Sequence, residues 1–325
     1  MDGMTAPGRS CPPGYGYSPK VFARAADVEG DALYVIGGLY GNVCALDAIE
    51  ALAACERDAP RLVFNGDFHW FDAHTTLFAE VQRRVLAHVA LRGNVETEVA
   101  GEETGAGCGC AYPESVPDAD VARSNAILQR LRAIATGVPG ARAALAMLPM
   151  HAVARVGALR VGIVHGDAWS LAGWRFAHDQ LDAHAERIGV AGQLGAVDGF
   201  ACSHTCAPAL RAYDACFVVN NGAAGMGNFT GASFGLITRI AAVALPAALE
   251  ARRLYGLYER GVWIDALRVD FDRDAWVRRF DAIWAAGSPA ALSYRERLLH
   301  GPRYTIDAAL GREDVDPAAC SLAAA

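Results

Sequence analysis

Arg61-Leu-Val-Phe-Asn-Gly-Asp67 decides the fold. Its first four residues have the length and apolar character of a buried strand, and Asn65-Gly-Asp67 is a turn that ends the strand on a carboxylate. The same grammar recurs along the chain. Leu33-Tyr-Val-Ile36 runs into the Gly-rich turn Gly37-Gly-Leu-Tyr-Gly-Asn42, and 89–91 runs into Arg92-Gly-Asn94. The strand at 159–164 ends in His165-Gly-Asp167, 198–202 in Ser203-His204-Thr205, and 216–219 in Asn220-Asn-Gly222. Helical spacing of apolar residues appears between them at 43–57, 75–89, 122–135 and 177–188. Strands alternating with helices imply an α/β sheet flanked by helices. In such sheets ligands gather beyond the carboxyl ends of the strands, where helix N-termini point inward. Gly38, Asp67, Asn94, His165 and His204 all fall at such ends.

The remainder of the chain fits around this unit. The stretches 234–243, 253–258 and 262–271 read as strands without intervening helices, with a hairpin turn at Glu259-Arg-Gly261. Helices at 274–286 and 290–300 follow, and Trp276, Phe280, Ile283 and Trp284 form an apolar stripe suited to packing on the sheet. This gives an arm at 1–30, a domain at 31–272, and C-terminal helices at 273–325 packed on the same domain. Within the domain, 96–120 holds six Gly or Pro residues, Cys108 and Cys110, and no clear period. It is expected to be a long loop insertion, of the kind that is functional or disordered. The Ala-rich tail after Pro317 is expected to fray.

The chain has 325 residues, 53% hydrophobic and 20% charged, enough for a sizeable core. A net charge of -7 argues against nucleic-acid binding through a broad basic surface. Nine cysteines form no paired CxxC pattern of a structural zinc site. The first residues contain no apolar core of a secretory signal, and no run of about 18 apolar residues occurs. The nearest, 236–251, is interrupted by Arg239 and Pro246. The reducing cytoplasm is the expected location, with no membrane partner. There is no Walker-type phosphate loop and no strand-linked dinucleotide fingerprint.

The order of the strand-end motifs resembles the calcineurin-like metallophosphoesterase superfamily, most closely its small bacterial branch, over about residues 32–272. That family shows Asp-x-His-Gly-Asn, Gly-Asp, Gly-Asn-His-Asp/Glu, a His after a strand, and Gly-His-x-His. This chain has Gly38-Leu-Tyr40-Gly41-Asn42, Gly66-Asp67, Gly93-Asn94-Val95-Glu96, His165-Gly166 and Ser203-His204-Thr205-Cys206. Asn220-Asn-Gly222 is similar to the turn that closes the site in that branch. The resemblance implies a two-sheet β-sandwich flanked by helices, in αββα layers. It implies that Asp67 matches the carboxylate bridging two metals, and that Asn94, His165 and His204 match the other ligands of the second metal. The positions belonging to the first metal alone read Gly38, Tyr40 and Cys206, and the proton-donating His reads Val95.

One divalent ion is therefore expected, and the mixed O/N donor set suits Mn, Fe or Zn rather than Ca. Cys206, or His69 and Asp72 on the loop after Asp67, would rebuild the first site and raise the number to two. Retention of the four residues for packing alone would leave none. Cys108 and Cys110 either cover the site, bind a metal, or sit in a flexible turn. Trp169 and Trp174 either stack on a flat substrate group or anchor a loop. Two functions follow: a phosphatase-like hydrolase of a phosphomonoester or phosphodiester, weakened by its single-metal site, with a small phosphorylated molecule as partner; or an inactive phosphoesterase-fold protein that binds a phosphate-bearing ligand or a protein.

Overall fold

The computed structural model describes residues 7–102 and 105–312; the tail after Pro317 lies outside them. The N-terminal arm lies on the body: Phe22 is fully buried, and β1 (Val28–Glu29) adds a short strand to a sheet edge. The first half then supplies β2 (Ala32–Ile36), α1 (Val43–Ala53), β3 (Arg61–Asn65), α2 (Thr75–Val85), β4 (Val89–Leu91), α3 (Asn94–Ala100), α4 (Asp118–Thr136) and α5 (Ala141–Ala146). The middle supplies β5 (His151–Val156), β6 (Leu159–Val164), α6 (Ala185–Gly195), β7 (Gly199–Cys202), β8 (Ala209–Ala212) and β9 (Phe217–Asn220). The chain closes with β10 (Gly235–Ala241), β11 (Arg253–Glu259), β12 (Val262–Val269), α7 (Arg273–Ile283), α8 (Pro289–His300) and α9 (Ile306–Ala309).

Among the described residues these strands form two six-stranded sheets, ordered β1-β5-β6-β7-β9-β8 and β11-β12-β10-β2-β3-β4. Each contains a parallel trio, β2-β3-β4 and β6-β7-β9, with antiparallel strands beside it. Side chains alternate between the two faces of a strand, and this alternation builds the layers. Leu33 and Val35 of β2 meet Val161 and Ile163 of β6 in the sandwich interior. Tyr34 and Ile36 face the other way, into a core with α1, α2, α4, α7 and α8. On the far side Phe22, Val164, Phe200 and Val218 pack with Ile188 and Ala191 of α6. The result is the αββα sandwich that the motif order implies.

The observed elements depart from the sequence reading in several places. Residues 96–120 are not one loop: α3 takes 94–100, α4 begins at Asp118, and only the connection between them is irregular. The turn Gly93-Asn94 starts a helix because Glu96, one turn in, accepts from the Gly93 N–H and satisfies an otherwise unpaired donor. The helix expected at 177–188 forms instead at 185–195. It holds Gly189, Gly192 and Gly195, poor helix formers in isolation, yet a Cβ at Gly192 or Gly195 would press on Cys216 or Phe22. Close packing outweighs propensity there. β5 and β8 occupy stretches to which the sequence reading assigns no element; both are antiparallel additions to the β6-β7-β9 trio. The hairpin does turn at Arg260 and Gly261, both with positive φ, between paired Glu259 and Val262.

Candidate metal centre

All the motif loops emerge from the carboxyl ends of the two parallel trios, so both sheets feed one mouth. Asp67 follows β3 and Asn94 opens α3 after β4; His165 follows β6 and His204 follows β7. Among the described residues, Asp67, His165 and His204 are the group whose ligand atoms all lie within 4.8 Å of one another, and all three are buried. The Asn94 side-chain oxygen adjoins this group. His165 Nε2 lies 3.1 Å from Asn94 Oδ1, 3.3 Å from Asp67 Oδ2 and 3.3 Å from His204 Nδ1.

The outer nitrogens of both imidazoles are pinned. His165 Nδ1 donates to the carbonyl of Asn65 at 2.9 Å, and His204 Nε2 donates to the carbonyl of Cys110 at 2.9 Å. With those protons fixed outward, the lone pairs of His165 Nε2 and His204 Nδ1 face inward and toward each other. Such an arrangement is repulsive unless a proton or a cation sits between the donors. The electrostatics agree. Burial, then the neighbouring His165, push the His204 pKa down to about 4, so its ring is neutral at pH 7. Burial also opposes charge on His165, but attraction to Asp67 outweighs it and raises the pKa. Burial opposes charge on Asp67 too, but His165 outweighs it and holds that carboxyl below its ordinary value. A carboxylate, an amide oxygen and two inward imidazole nitrogens beside a small cavity fit a divalent transition metal. The cavity's volume of about 30 Å³ admits an ion or a water.

Local backbone makes this convergence possible. Asp67 has φ +53°, in the left-handed region where side chains other than Gly are uncommon. Gly93 must lack a side chain, because its Cβ would lie 2.2 Å from Asp67 Oδ1. Glu96, quoted in the third motif but given no role there, is fully buried and accepts from the backbone N–H groups of Asp67 at 2.7 Å, Gly93 at 2.9 Å and His69 at 3.2 Å. It clamps the Asp67 loop onto the start of α3. An acid three residues into a helix is the signal by which the sequence could have disclosed this brace. Asn65 ties the sheets together: its Nδ2 donates to Val164 O at 2.7 Å and to Ser203 Oγ at 2.9 Å.

The space beside Gly38, which the resemblance gives to the first metal, is filled. A Cβ at Gly38 would lie 2.0 Å from Cζ and 2.3 Å from the hydroxyl of Tyr40, so the phenol ring occupies the space of any larger side chain at position 38. The hydroxyl is 2.6 Å from Cys206 Sγ. Tyr40 and Cys206 both adopt φ +54°, so three strained residues cluster here with Asp67. Gly38, Tyr40 and Cys206 are thus one mutually fitted contact. His69 and Asp72 stand apart from the Asp67–His165–His204 group. His69 Nδ1 pairs with Asp72 Oδ2 at 2.6 Å, the His69 ring stacks on Phe78 at 3.7 Å, and Asp72 Oδ1 accepts from the Trp70 N–H.

The segment carrying Cys108 and Cys110, joined by a disulfide, covers the site. Cys108 O accepts from Asn94 Nδ2 at 3.0 Å, and Cys110 O accepts from both His204 Nε2 and Trp174 Nε1. Trp174 packs edge-on against His204 and lines the cavity. Trp169 packs instead on Phe176 with the Arg175 guanidinium over its ring. No family model matches the sequence, and no curated protein matches it. Solved structures share its architecture, two of them as follows. A hypothetical protein from Pyrococcus horikoshii has a TM-score of 0.57 at 15% identity, covering 84% of this chain and 99% of its own. A metallophosphoesterase from Sphaerobacter thermophilus has a TM-score of 0.52 at 15% identity, covering 83% and 99%. At that identity the likeness is one of fold, and the fold of this chain is that of the calcineurin-like metallophosphoesterases.

Proposed function

We propose that this chain is a metal-dependent phosphoesterase-like hydrolase that acts on a phosphomonoester or phosphodiester through a single divalent ion, Mn, Fe or Zn. The observation that carries this reading is the inward aim of His165 Nε2 and His204 Nδ1 beside Asp67 and Asn94, with both outer N–H groups held by carbonyls. A divalent ion held there would polarise a phosphoryl oxygen and lower the pKa of its bound water toward about 7. The chain's own residues set the limits of that chemistry. Asp67 and Asn94 supply oxygen ligands, and Glu96 holds their loops in place. Tyr40 puts a neutral phenol where the family holds its first metal. Val95 has no proton to give a leaving group. Slow turnover, or a substrate with a good leaving group, is the expected consequence. The segment over the cavity has to move aside to admit an ester.

The test is metal content and hydrolysis of an activated phosphodiester, measured together. About one equivalent of metal per chain, lost with activity in His165→Ala and His204→Ala, is expected. Undiminished hydrolysis in both variants overturns the mechanism. The Gly38–Tyr40–Cys206 contact, with Val95 beside it, favours a second reading, a non-hydrolytic protein that binds a phosphate-bearing ligand or a partner. Ligand binding without turnover in added Mn²⁺ supports that alternative.

A further inference from the structure

The Cys108–Cys110 bridge spans one intervening residue. A cross-link that short removes little freedom from the unfolded chain, so stabilising the fold does not account for it. Its position is more informative. Both sulfurs are buried, and Cys110 lines the small cavity together with Asp67, Asn94 and His204. Cys110 Sγ lies 3.4 Å from Asn94 Nδ2, while its own carbonyl accepts a hydrogen bond from His204 Nε2. Cys110 therefore touches two of the four candidate metal ligands, Asn94 through its sulfur and His204 through its carbonyl. The other thiol at the cavity, Cys206, is engaged with Tyr40. A disulfide sulfur is a poor metal ligand, whereas a thiolate is a strong and soft one.

We propose that Cys110 is a redox-masked ligand of this metal centre; the proposal rests on the metal reading of the site. A dithiol reductant transfers two electrons and two protons to the bridge. Its own sulfurs join as a disulfide, and Cys108 and Cys110 become two thiols. On binding, the ion displaces the Cys110 proton to solvent and gains a sulfur ligand. The oxidised chain presents an O/N donor set; the reduced chain presents an S/N/O set, which shifts preference from Mn toward Zn.

Cobalt(II) is the probe, because a thiolate ligand adds a charge-transfer band in the near ultraviolet that O and N ligands do not give. The full chain is loaded with cobalt in oxidised and dithiol-reduced forms, with bound cobalt measured per chain and the bridge checked by intact mass. The band is expected in reduced wild type, and in Cys108→Ser without any reductant, because that variant leaves the Cys110 thiol free. It is expected to be absent in oxidised wild type and in Cys110→Ser under either condition. A band of equal strength in reduced Cys110→Ser overturns the proposal and assigns the sulfur to Cys108 or Cys206. Bound cobalt with no band in any form overturns it while leaving the O/N metal centre standing. No bound cobalt in any form overturns both. The comparison of oxidised with reduced wild type needs no variant to fold.

Discussion

The Tyr40 ring fills the space beside Asp67 with one neutral phenol held against Cys206. Because Gly38 and Tyr40 share that space, their substitutions are expected to couple. Gly38→Ala should destabilise the protein by about 1–3 kcal/mol through overpacking, and much less on a Tyr40→Ala background, read from denaturant midpoints. Equal effects in both backgrounds would mean the two residues do not compete. Gly38→Asp, Tyr40→His and Cys206→His made together should raise bound metal from one ion toward two, whereas Gly38→Asp alone should not. Glu96→Gln swaps an acceptor for an amide facing three backbone N–H donors. It should cost about 1–3 kcal/mol and weaken metal binding about 10–100-fold; unchanged metal affinity by titration would reduce Glu96 to a purely structural brace. Asp67, Asn94, His165 and His204 were legible as letters at strand ends, because each ends a strand in a short polar turn. What the letters could not carry was that Gly38, Tyr40 and Cys206 are one contact rather than three vacancies. That contact depends on a ring folding back over a glycine two residues earlier, and on a partner 166 residues away.

At the scale of elements, the seating of α7 shows which packing serves the site and which does not. Trp284, at its end, is buried, donates from Nε1 to Phe71 O at 2.8 Å, and lies under the Arg130 guanidinium. Trp284→Ala should cost about 3–5 kcal/mol yet leave metal stoichiometry at 25 °C unchanged; loss of metal in a variant that remains folded would tie α7 to the centre. The stripe at 276–284 was readable because helical periodicity survives translation into structure. The parallel strands were readable for a related reason: buried on both faces, they are short continuous apolar runs. α6 was not, because its three glycines lower local propensity and its stability comes from Phe22 and Cys216 pressing on it from distant segments. α3 was obscured in the same way. Its start is fixed by Glu96 reaching back to Gly93, and its neighbours in sequence are Gly- and Pro-rich.

For the molecule as a whole, binding of an ion to the folded state alone should raise stability by mass action. About 2.7 kcal/mol is expected at a hundredfold excess of metal over its Kd, seen as a rise in Tm that a chelator reverses and that His165→Ala abolishes. A Tm indifferent to Mn²⁺, Fe²⁺ and Zn²⁺ would count against any metal centre here. The four candidate donors are divided evenly: Asp67 and Asn94 follow strands of the β2-β3-β4 sheet, His165 and His204 strands of the β6-β7-β9 sheet. Asn65 crosses between the same two layers. A donor set shared across that seam turns ion affinity into a gauge of alignment. A substitution deep in the sandwich interior, such as Val161→Ala, that lets one sheet slide along the other by a fraction of an ångström would loosen the ion without touching a ligand. Tight coordination in turn would act as a rivet, slowing exchange of the amide protons of β3 and β6 together.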